Sequence, residues 1–257
     1  MIYPCKPFIL FEGRLAVIMT GRDYGDCRLN GRQNKALAQI RQLGDLLGAK
    51  RIFAPHLGCP DRVAHIHDED VYHLGDGVFR TVNRADGGII TEPSRDTAMI
   101  ITNADCHVGV VCHPETNWWA LIHLGFDSLV RSGNEGSVLE SLLEVCPYDP
   151  GSLWIWSGAG VRGCCNGYYV GHQKLRWLNE EMPEIKTNQL IDKGPRQGSV
   201  AVDNLEVIKN QTRDFGFGRR DVDGTCTACL TGLFGRMFYS SIFSDQERNC
   251  FMVMRIA

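Results

Sequence analysis

Two apolar runs joined by a short polar segment decide the fold of this chain. They are Asn103-Ala-Asp-Cys-His-Val-Gly-Val-Val-Cys112 and Trp118-Trp-Ala-Leu-Ile-His-Leu-Gly125. Short runs rich in β-branched and aromatic residues are typical of buried strands. If the runs pair through residues 113–117, the thiol of Cys106 and the imidazole of His123 come together and can share a proton or a metal ion. The alternative is a buried structural cysteine, with a histidine that hydrogen-bonds to a carbonyl group.

Composition and charge limit the class of protein. The 257 residues are 44% hydrophobic and 22% charged, as in ordinary globular proteins. A net charge of −3 and the lack of a basic run argue against nucleic acid or an acidic membrane as a partner. No apolar run has the length of a membrane span, and the N-terminus lacks the basic start and apolar core of a signal peptide. We therefore expect a cytoplasmic protein.

Strand and helix patterns alternate irregularly, without repeats, low-complexity tracts or a linker. This favours an α+β fold, with mixed β-sheets flanked by helices in a single domain over residues 1–257, rather than a doubly wound sheet. The patterns predict a hairpin at 8–19, strands at 51–54, 85–90, 98–102, 153–156 and 251–256, and helices at 34–47, 138–145, 168–177 and after an N-cap at Asp203.

Eleven cysteines are an unusual store of thiols for such a chain. Because the number is odd, the chain is long and no export signal is evident, we expect reduced thiols rather than disulfides. They crowd at Cys164-Cys165 and at Cys226-Thr-Ala-Cys229. Four thiols could bind zinc, but the two pairs lie far apart in the sequence and no histidine-rich partner flanks them. A structural metal there is the less favoured interpretation.

A cluster of histidines lies before the apolar runs, at His56, His65, His67 and His73. In an extended segment His65 and His67 face the same way, because a strand has a period of two. Such histidines usually lie on the surface or complete a hydrogen-bond network. A metal site would need further ligands, for which the thiol and imidazole of the two apolar runs are the obvious source.

A glycine-bearing turn, Ser157-Gly-Ala-Gly160, follows a predicted strand and precedes Arg162. Glycines let the backbone come close to a ligand, and a neighbouring arginine suits a phosphate or a carboxylate. Arg162, together with Arg32 before the first long helix, is therefore a candidate for contact with an anion. The alternative is a tight turn with a solvated arginine, since an isolated GxG is no dinucleotide fingerprint.

An ordered series of motifs runs through nearly the whole chain. The series is His65-Ile-His67, Ala85-Asp-Gly87, Asn103-Ala-Asp-Cys106, His123-Leu-Gly-Phe126, Gly158-Ala-Gly160, Cys164-Cys165, Asp203-Asn-Leu205, Cys226-Thr-Ala-Cys229 and Phe238-Tyr-Ser240. In this order the motifs resemble those of the YfiH-type laccase-domain family, which is also described as multicopper polyphenol oxidase-like or as purine nucleoside phosphorylase.

The resemblance implies a laccase-domain fold and a zinc-dependent enzyme of the purine nucleoside phosphorylase or hydrolase type. Its partners would be small molecules, an adenosine- or inosine-like substrate and phosphate, and the chain would be a monomer or homodimer. It also implies that His67, Cys106 and His123 hold the metal, Zn²⁺ or alternatively Cu²⁺. Such a set is typical of zinc and leaves a fourth position for water or substrate. Asp105, beside the cysteine, is expected to orient a ligand histidine or handle a proton, and Cys106 and His123 share the catalytic role.

The chain departs from the family pattern close to the expected site. Phe126-Asp127 stands where the family has Trp-Arg, and Ser241-Ile-Phe243 stands where it has arginines after Phe-Phe-Ser. A carboxylate in place of a cation should repel phosphate, so that nucleoside cleavage is expected to be slow.

Three other functions stay open. Cys106 as thiolate nucleophile and His123 as base would make a hydrolase without a catalytic metal. A copper-dependent polyphenol oxidase is less favoured, because one mixed site lacks the histidine clusters that several coppers require. A catalytically decayed family member could keep the fold and the metal and act as a binding protein.

Overall fold

The fold is built on two large mixed β-sheets. The computed structural model describes residues 7–29, 33–59, 62–90, 96–130, 136–187, 189–192, 195–232 and 235–256. The strands of this part of the chain are β1 (Phe8–Leu10), β2 (Leu15–Met19), β3 (Arg51–His56), β4 (Ala64–His65), β5 (Val71–Gly75), β6 (Val78–Arg84), β7 (Gly87–Ile90), β8 (Thr97–Asn103), β9 (His107–Cys112), β10 (Trp119–Leu124), β11 (Trp154–Ser157), β12 (Gly167–Tyr168), β13 (Val200–Ala201), β14 (Arg219–Val222), β15 (Thr231–Gly232), β16 (Gly235–Arg236) and β17 (Asn249–Arg255). The α-helices are α1 (Gln33–Leu47), α2 (Phe126–Leu129), α3 (Val138–Val145), α4 (Gln173–Glu181) and α5 (Asn204–Asp214).

Each large sheet mixes parallel and antiparallel pairs. The first has the strand order β1-β2-β17-β8-β3-β6-β5, and the second has the order β14-β11-β9-β10-β7-β4. In the first, β3 runs parallel to both of its neighbours. In the second, the two outermost pairs are parallel and the central pairs are antiparallel. The predicted α+β class with mixed sheets is confirmed.

The two apolar runs form the antiparallel hairpin β9–β10 at the centre of the second sheet, as predicted. In its register His123 lies opposite Val108 and Leu124 lies opposite His107. The polar loop at 113–117 is therefore at one end of the hairpin. Cys106, directly before β9, and His123, near the end of β10, lie together at the other end.

The alternation of side chains in β9 and β10 explains how the layers stack. Val108, Val110 and Cys112 face the first sheet, where they join a buried core with Met99, Phe251 and other residues of that sheet. The opposite face, with Val111 and Ile122, packs on the buried residues of α2, α3, α4 and α5. A third core lies between α1 and the outer face of the first sheet. The order of layers is therefore helix, sheet, sheet, helices, because the period of a strand is two.

Several other predictions are confirmed. The hairpin β1–β2, the helix α3 and the strand β17 lie where the patterns placed them. Helix α1 ends at Leu47 and is followed by Gly48, whose φ is +81°. Asp203 is the N-cap of α5, since its Oδ1 accepts a hydrogen bond from the Leu205 N–H at 3.1 Å. None of the helices in the described part of the chain is both long and apolar enough to cross a membrane.

The helix expected at 168–177 begins later than predicted. Tyr168 belongs to the short strand β12, Gly171 has a φ of +85°, and α4 starts at Gln173. The reason is an unexpected N-cap: Nδ1 of His172 accepts a hydrogen bond from the Lys174 N–H at 3.1 Å. The pattern of apolar residues predicts the helix, but it does not predict that the helix begins at Gln173.

The turn after β11 packs tightly on His107, which is fully buried. Burial lowers the pKa of His107, and its Nδ1 lies 2.7 Å from the carbonyl oxygen of Gly158. The neutral ring therefore donates its Nδ1–H to that carbonyl. A Cβ added to Gly160 would lie only 2.5 Å from the ring carbons of His107.

Gly160→Ala is therefore expected to destabilise the protein by about 1–3 kcal/mol, since neither the buried ring nor the turn has room to move. Urea unfolding measures the effect as a lower midpoint. Gly136→Ala is the matched control, because a Cβ there makes only an ordinary contact of 3.4 Å with the end of the Glu140 side chain. Equal midpoints for the two variants would contradict the close packing of Gly160 on His107.

Candidate active site

A cavity of about 690 Å³ opens where β9 begins and β10 ends. Cavities of this size commonly hold small molecules. Both residues singled out from the apolar runs, Cys106 and His123, line it. Asp86, which precedes β7, and Tyr168 of β12 also line the cavity, so that its walls combine a titratable cluster with an aromatic ring.

The side chains of Cys106 and His123 are hydrogen-bonded to each other. The backbone explains why both fit at this place, because Gly125 follows the end of β10 and has no side chain. A Cβ on Gly125 would lie 3.2 Å from His123 Nε2 and 3.3 Å from Cys106 Sγ. The glycine therefore leaves free the space beside the imidazole nitrogen and the sulfur. The thiol of Cys106 and the imidazole of His123 therefore lie together at this end of the hairpin, as the pairing of the two runs predicts.

The other nitrogen of His123 binds Asp86. Nδ1 lies 3.0 Å from Asp86 Oδ2, and the same oxygen accepts a hydrogen bond from the hydroxyl of Ser128. Asp86 Oδ1 accepts the Gly58 N–H at 2.9 Å. The strand pairing fixes this contact from the backbone, since the His123 N–H also donates to the Asp86 carbonyl at 2.7 Å. The result is a line of carboxylate, imidazole and thiol.

The sequence reasoning did not assign Asp86 or Ser128 to the site. Asp86 lies far from Cys106 in the sequence and reaches it through the pairing of β7 with β10. The signal in the sequence is the Ala85-Asp-Gly87 motif of the ordered series, which contains Asp86. Ser128 is in α2, close behind His123, and no pattern marked it.

Charges in this line reinforce one another. Burial would raise the pKa of Asp86, but hydrogen bonds from His123, Ser128 and the Gly58 N–H outweigh it and lower that pKa to about 2. Burial would lower the pKa of His123, yet the negative charge of a Cys106 thiolate and the hydrogen bond to Asp86 raise it. With the Asp86 carboxylate hydrogen-bonded to its Nδ1, the imidazolium form of His123 is favoured near neutral pH.

Asp105 also lines the cavity, but it binds other partners than His123. Its Oδ2 accepts the Ser241 hydroxyl at 2.5 Å and the Ile242 N–H at 3.1 Å. Its Oδ1 lies 3.3 Å from the hydroxyl of Thr227. Asp105 therefore holds two chain segments, 227 and 241–242, against the start of β9. The carboxylate that orients His123 is Asp86, and a catalytic role for Asp105 stays a prediction.

Two other predicted site residues, His67 and Arg162, are not among the residues that line the cavity. His67 is exposed, and its ring stacks on that of His65 with centroids 6.1 Å apart. Arg162 binds Asp203 through Nε and Nη2, with the Nη2–Oδ2 distance at 2.7 Å, and donates from Nη1 to the Gly224 carbonyl. Arg32 is outside the described residues. The structure thus brings together Cys106 and His123, and it does not bring His67 or Arg162 to them.

The donor set can be compared with what zinc requires. Cys106 and His123 supply a thiolate and an imidazole with free space beside them, and Asp86 on the second nitrogen is the support that zinc-bound histidines usually have. In the described part of the chain, no third donor completes a close cluster with this pair. Two of the three expected ligands therefore fit a metal site, and His67 as the third stays a prediction.

At the cavity mouth Asp127 neutralises a cation. Its Oδ1 lies 2.7 Å from Nζ of Lys174, with the side chain of Asp127 64% exposed and that of Lys174 25% exposed. The ammonium group also lies 5.4 Å from the ring centroids of both Phe126 and Tyr168. Asp127, at the position where the family resemblance predicts an arginine, thus lines the cavity and pairs with a lysine that no sequence motif marked.

The four crowded cysteines form a second cluster of donors. The Sγ atoms of Cys164, Cys165, Cys226 and Cys229 all lie within 4.8 Å of one another, and no other such group of three or more donors occurs among the described residues. The pairs are distant in sequence but adjacent in space because β11 runs parallel to β14, which carries residue 160 alongside residue 226. The distance between the two pairs in the sequence therefore does not argue against a metal site here.

Comparison with known proteins agrees with this fold. The family model for multi-copper polyphenol oxidoreductase laccase matches residues 46–244. Three solved structures share the fold: protein NMB0706 of Neisseria meningitidis (TM-score 0.71, 16% identity, 95% of each chain covered), YfiH of Bacillus licheniformis (0.69, 14%, 93% of this chain and 92% of that one) and YlmD of Geobacillus stearothermophilus (0.69, 16%, 96% and 93%).

A comparison with curated proteins gives no significant match. At identities of this level the solved structures establish the fold alone. The family model, in contrast, matches well over half of the residues and includes Cys106, His123, Asp86 and the cysteine cluster. The chain therefore belongs to the laccase-like family whose structural relatives include YfiH.

Proposed function

We propose that this protein is an enzyme that cleaves the N-glycosidic bond of purine nucleosides such as adenosine or inosine, with phosphate or water as the acceptor. The observation that carries the proposal is the line Asp86–His123–Cys106 in the wall of a cavity large enough for a nucleoside. The resemblance of the motif series to purine nucleoside phosphorylases agrees with it.

The walls of the cavity suit such a substrate. Phe126 and Tyr168, whose ring centroids are 5.3 Å apart, offer aromatic surface to a purine base. Lys174 and Arg196 also line the cavity and supply positive charge for phosphate. If the purine base binds against Phe126 and Tyr168, the ribose and the water or phosphate acceptor lie next to His123.

Asp86 holds His123 with one nitrogen towards the carboxylate and the other towards the cavity. In this orientation the imidazolium can donate its Nε2 proton to the departing purine base and then take one from the attacking water or phosphate. Cys106 balances the charge of the imidazolium while His123 carries that proton. Cleavage then needs no oxidant or reductant, since one bond to C1′ breaks as another forms.

The finer proposal is that Cys106 and His123 also hold zinc. Zinc in such a site supplies a bound water of about neutral pKa. Copper chemistry has less support, because the described residues present one mixed cysteine and histidine pair and no group of histidine donors.

The test is an assay of adenosine and inosine cleavage, with and without phosphate, on protein purified without added metal and analysed for zinc and copper. We expect turnover, and we expect a chelator to abolish it and zinc to restore it. His67→Ala should lose this metal if His67 is the third ligand, whereas the control His56→Ala should keep it. No cleavage of any nucleoside by the metal-loaded protein would refute the proposal and favour a binding protein without catalysis.

A second candidate function rests on the same line of residues. Carboxylate, imidazole and thiol in sequence are also the arrangement of a cysteine nucleophile with its base and orienting acid. In that case the protein is a hydrolase that works without metal. Activity that persists unchanged after complete metal removal, together with inactivation by a thiol-alkylating reagent at Cys106, would favour this reading over the zinc enzyme.

Asp127→Asn is expected to lower the KM for phosphate by about threefold to fivefold, because the exposed carboxylate no longer neutralises Lys174 or repels the anion. Initial rates at varied phosphate and saturating nucleoside give the value. Asp214→Asn, at the exposed end of α5, removes the same charge at a position that does not line the cavity, and it should leave the KM for phosphate unchanged. If both variants leave the phosphate dependence unaltered, Lys174 is no part of the phosphate site.

A further inference from the structure

The spacing of the four crowded thiols matches a metal site better than a disulfide. The Sγ atoms of Cys164 and Cys229 are 3.7 Å apart. Zinc–sulfur bonds of about 2.3 Å in a tetrahedron place the sulfurs about 3.8 Å apart. A disulfide bond is about 2.05 Å long, much shorter than the observed distance. All four sulfurs lie within 4.8 Å of one another, so a small contraction would complete the tetrahedron.

The surroundings of the thiols also suit zinc. The backbone N–H groups of Arg162, Ala228 and Cys229 are hydrogen-bonded to the sulfur of Cys226, and such bonds stabilise a thiolate ligand. Apolar side chains close the inner side, where Cys226 and Cys165 pack with Val161, Ala228 and Ile242. Cys164 and Cys229 are exposed and give an ion access from solvent.

We propose that Cys164, Cys165, Cys226 and Cys229 form a structural zinc site, separate from the Cys106–His123 pair. Four protein ligands and no open position are the usual arrangement of structural zinc. On binding, each thiol that still carries a proton releases it to the solvent, and no electron is transferred. The proposal does not depend on the enzymatic function.

The four cysteines connect two chain segments that lie beside the cavity. They join the turn at 164–165 to the segment 226–229, and between the cysteines of that segment lies Thr227, which contacts Asp105. Val161 and Ile242, which pack against the cysteines, also line the cavity. Zinc here would therefore hold one wall of the cavity in place against the start of β9.

The experiment is to measure zinc in full-length protein purified under reducing conditions without added metal, and to record the spectrum of Cys106→Ala protein after exchange with Co²⁺. We expect one equivalent of zinc at the four cysteines, in addition to any metal at Cys106–His123. Cys164→Ser and Cys229→Ser should each lose this equivalent, whereas Cys106→Ala and the control Cys146→Ser should keep it. Tetrahedral Co²⁺ bound to four thiolates should give intense sulfur-to-cobalt charge-transfer bands. Cys229→His should retain the metal with weaker bands, because histidine can replace one thiolate ligand.

Three outcomes would overturn the proposal. One is a Co²⁺ spectrum of Cys106→Ala protein without thiolate bands. Another is full zinc content in both serine variants. The third is mass spectrometry that finds a Cys164–Cys229 disulfide in the freshly purified, reductant-treated protein. Since the Co²⁺ spectrum is taken on Cys106→Ala, which keeps all four cysteines of the cluster, a failure of the serine variants to fold would not prevent a decision, and the assay of nucleoside cleavage plays no part in it.

Discussion

Cys106→Ala should reduce nucleoside cleavage by about a thousandfold or more, which is the largest effect expected of any single substitution in this protein. The reason is the same for both candidate mechanisms. The thiolate is either the nucleophile or one of the two ligands that fit zinc, and its charge also favours the imidazolium form of His123. The measurement is kcat with adenosine under saturating conditions, compared with Cys146→Ala as a thiol control.

The alanine variant should remain folded, because Cys106 lies at the cavity wall and not in any of the buried cores. Its far-ultraviolet circular dichroism and unfolding midpoint should stay close to those of the wild type. A variant that keeps more than about a tenth of the wild-type rate would remove Cys106 from the mechanism and with it both proposals for this site.

Asp86→Asn has the second largest expected effect, and its size separates the two mechanisms. If His123 is a zinc ligand, loss of its supporting carboxylate should cost about 10–100-fold in activity or metal affinity. If His123 is instead the base of a metal-free thiol enzyme, the cost should be nearer 10⁴-fold, because the imidazole loses its correct tautomer. Steady-state rates with metal-loaded and metal-free protein decide between these values.

The pH profile of Asp86→Asn gives a readout that a purely structural role would not change. Burial disfavours the charged imidazole, and Asp86 is one of the groups that raise the pKa of His123 above its usual range. Removing the carboxylate's charge must lower that pKa, so the alkaline limb of kcat should move to lower pH. Asp214→Asn, an exposed control, should leave the profile in place. An unshifted profile would mean that Asp86 does not act through His123.

Some parts of this molecule could be read from the sequence, for reasons that are local. The runs that became β9 and β10 carry apolar residues on both faces, because one face packs on a sheet and the other on helices. That pattern predicts buried strands, and a short polar loop between them predicts a hairpin. The meeting of Cys106 and His123 then follows from the register of adjacent strands.

Other parts depended on contacts between distant segments. Asp86 reaches His123 only because β7 pairs with β10, and Cys226 reaches Cys164 only because β14 pairs with β11. Neither pairing leaves a periodic signal in the sequence. The partner of Arg162 was equally hidden. Its place after a glycine turn indicated an anion contact, and the structure pairs it with Asp203, so that a role in substrate binding stays a prediction.

The residues that line the cavity come partly from strands of the second sheet and partly from a helix and a turn outside both large sheets. This arrangement affects how the protein could evolve new specificity. Its reactive groups, Asp86, Cys106 and His123, lie at the ends of three adjacent strands in the middle of a sheet. The groups that would touch the rest of a substrate, including Lys174 and Ile242, come from a short helix and a turn outside both large sheets. Mutations at Lys174 or Ile242 can therefore change which molecule binds without moving the reactive groups on the strands. The same reactive groups could then act on different substrates in different family members.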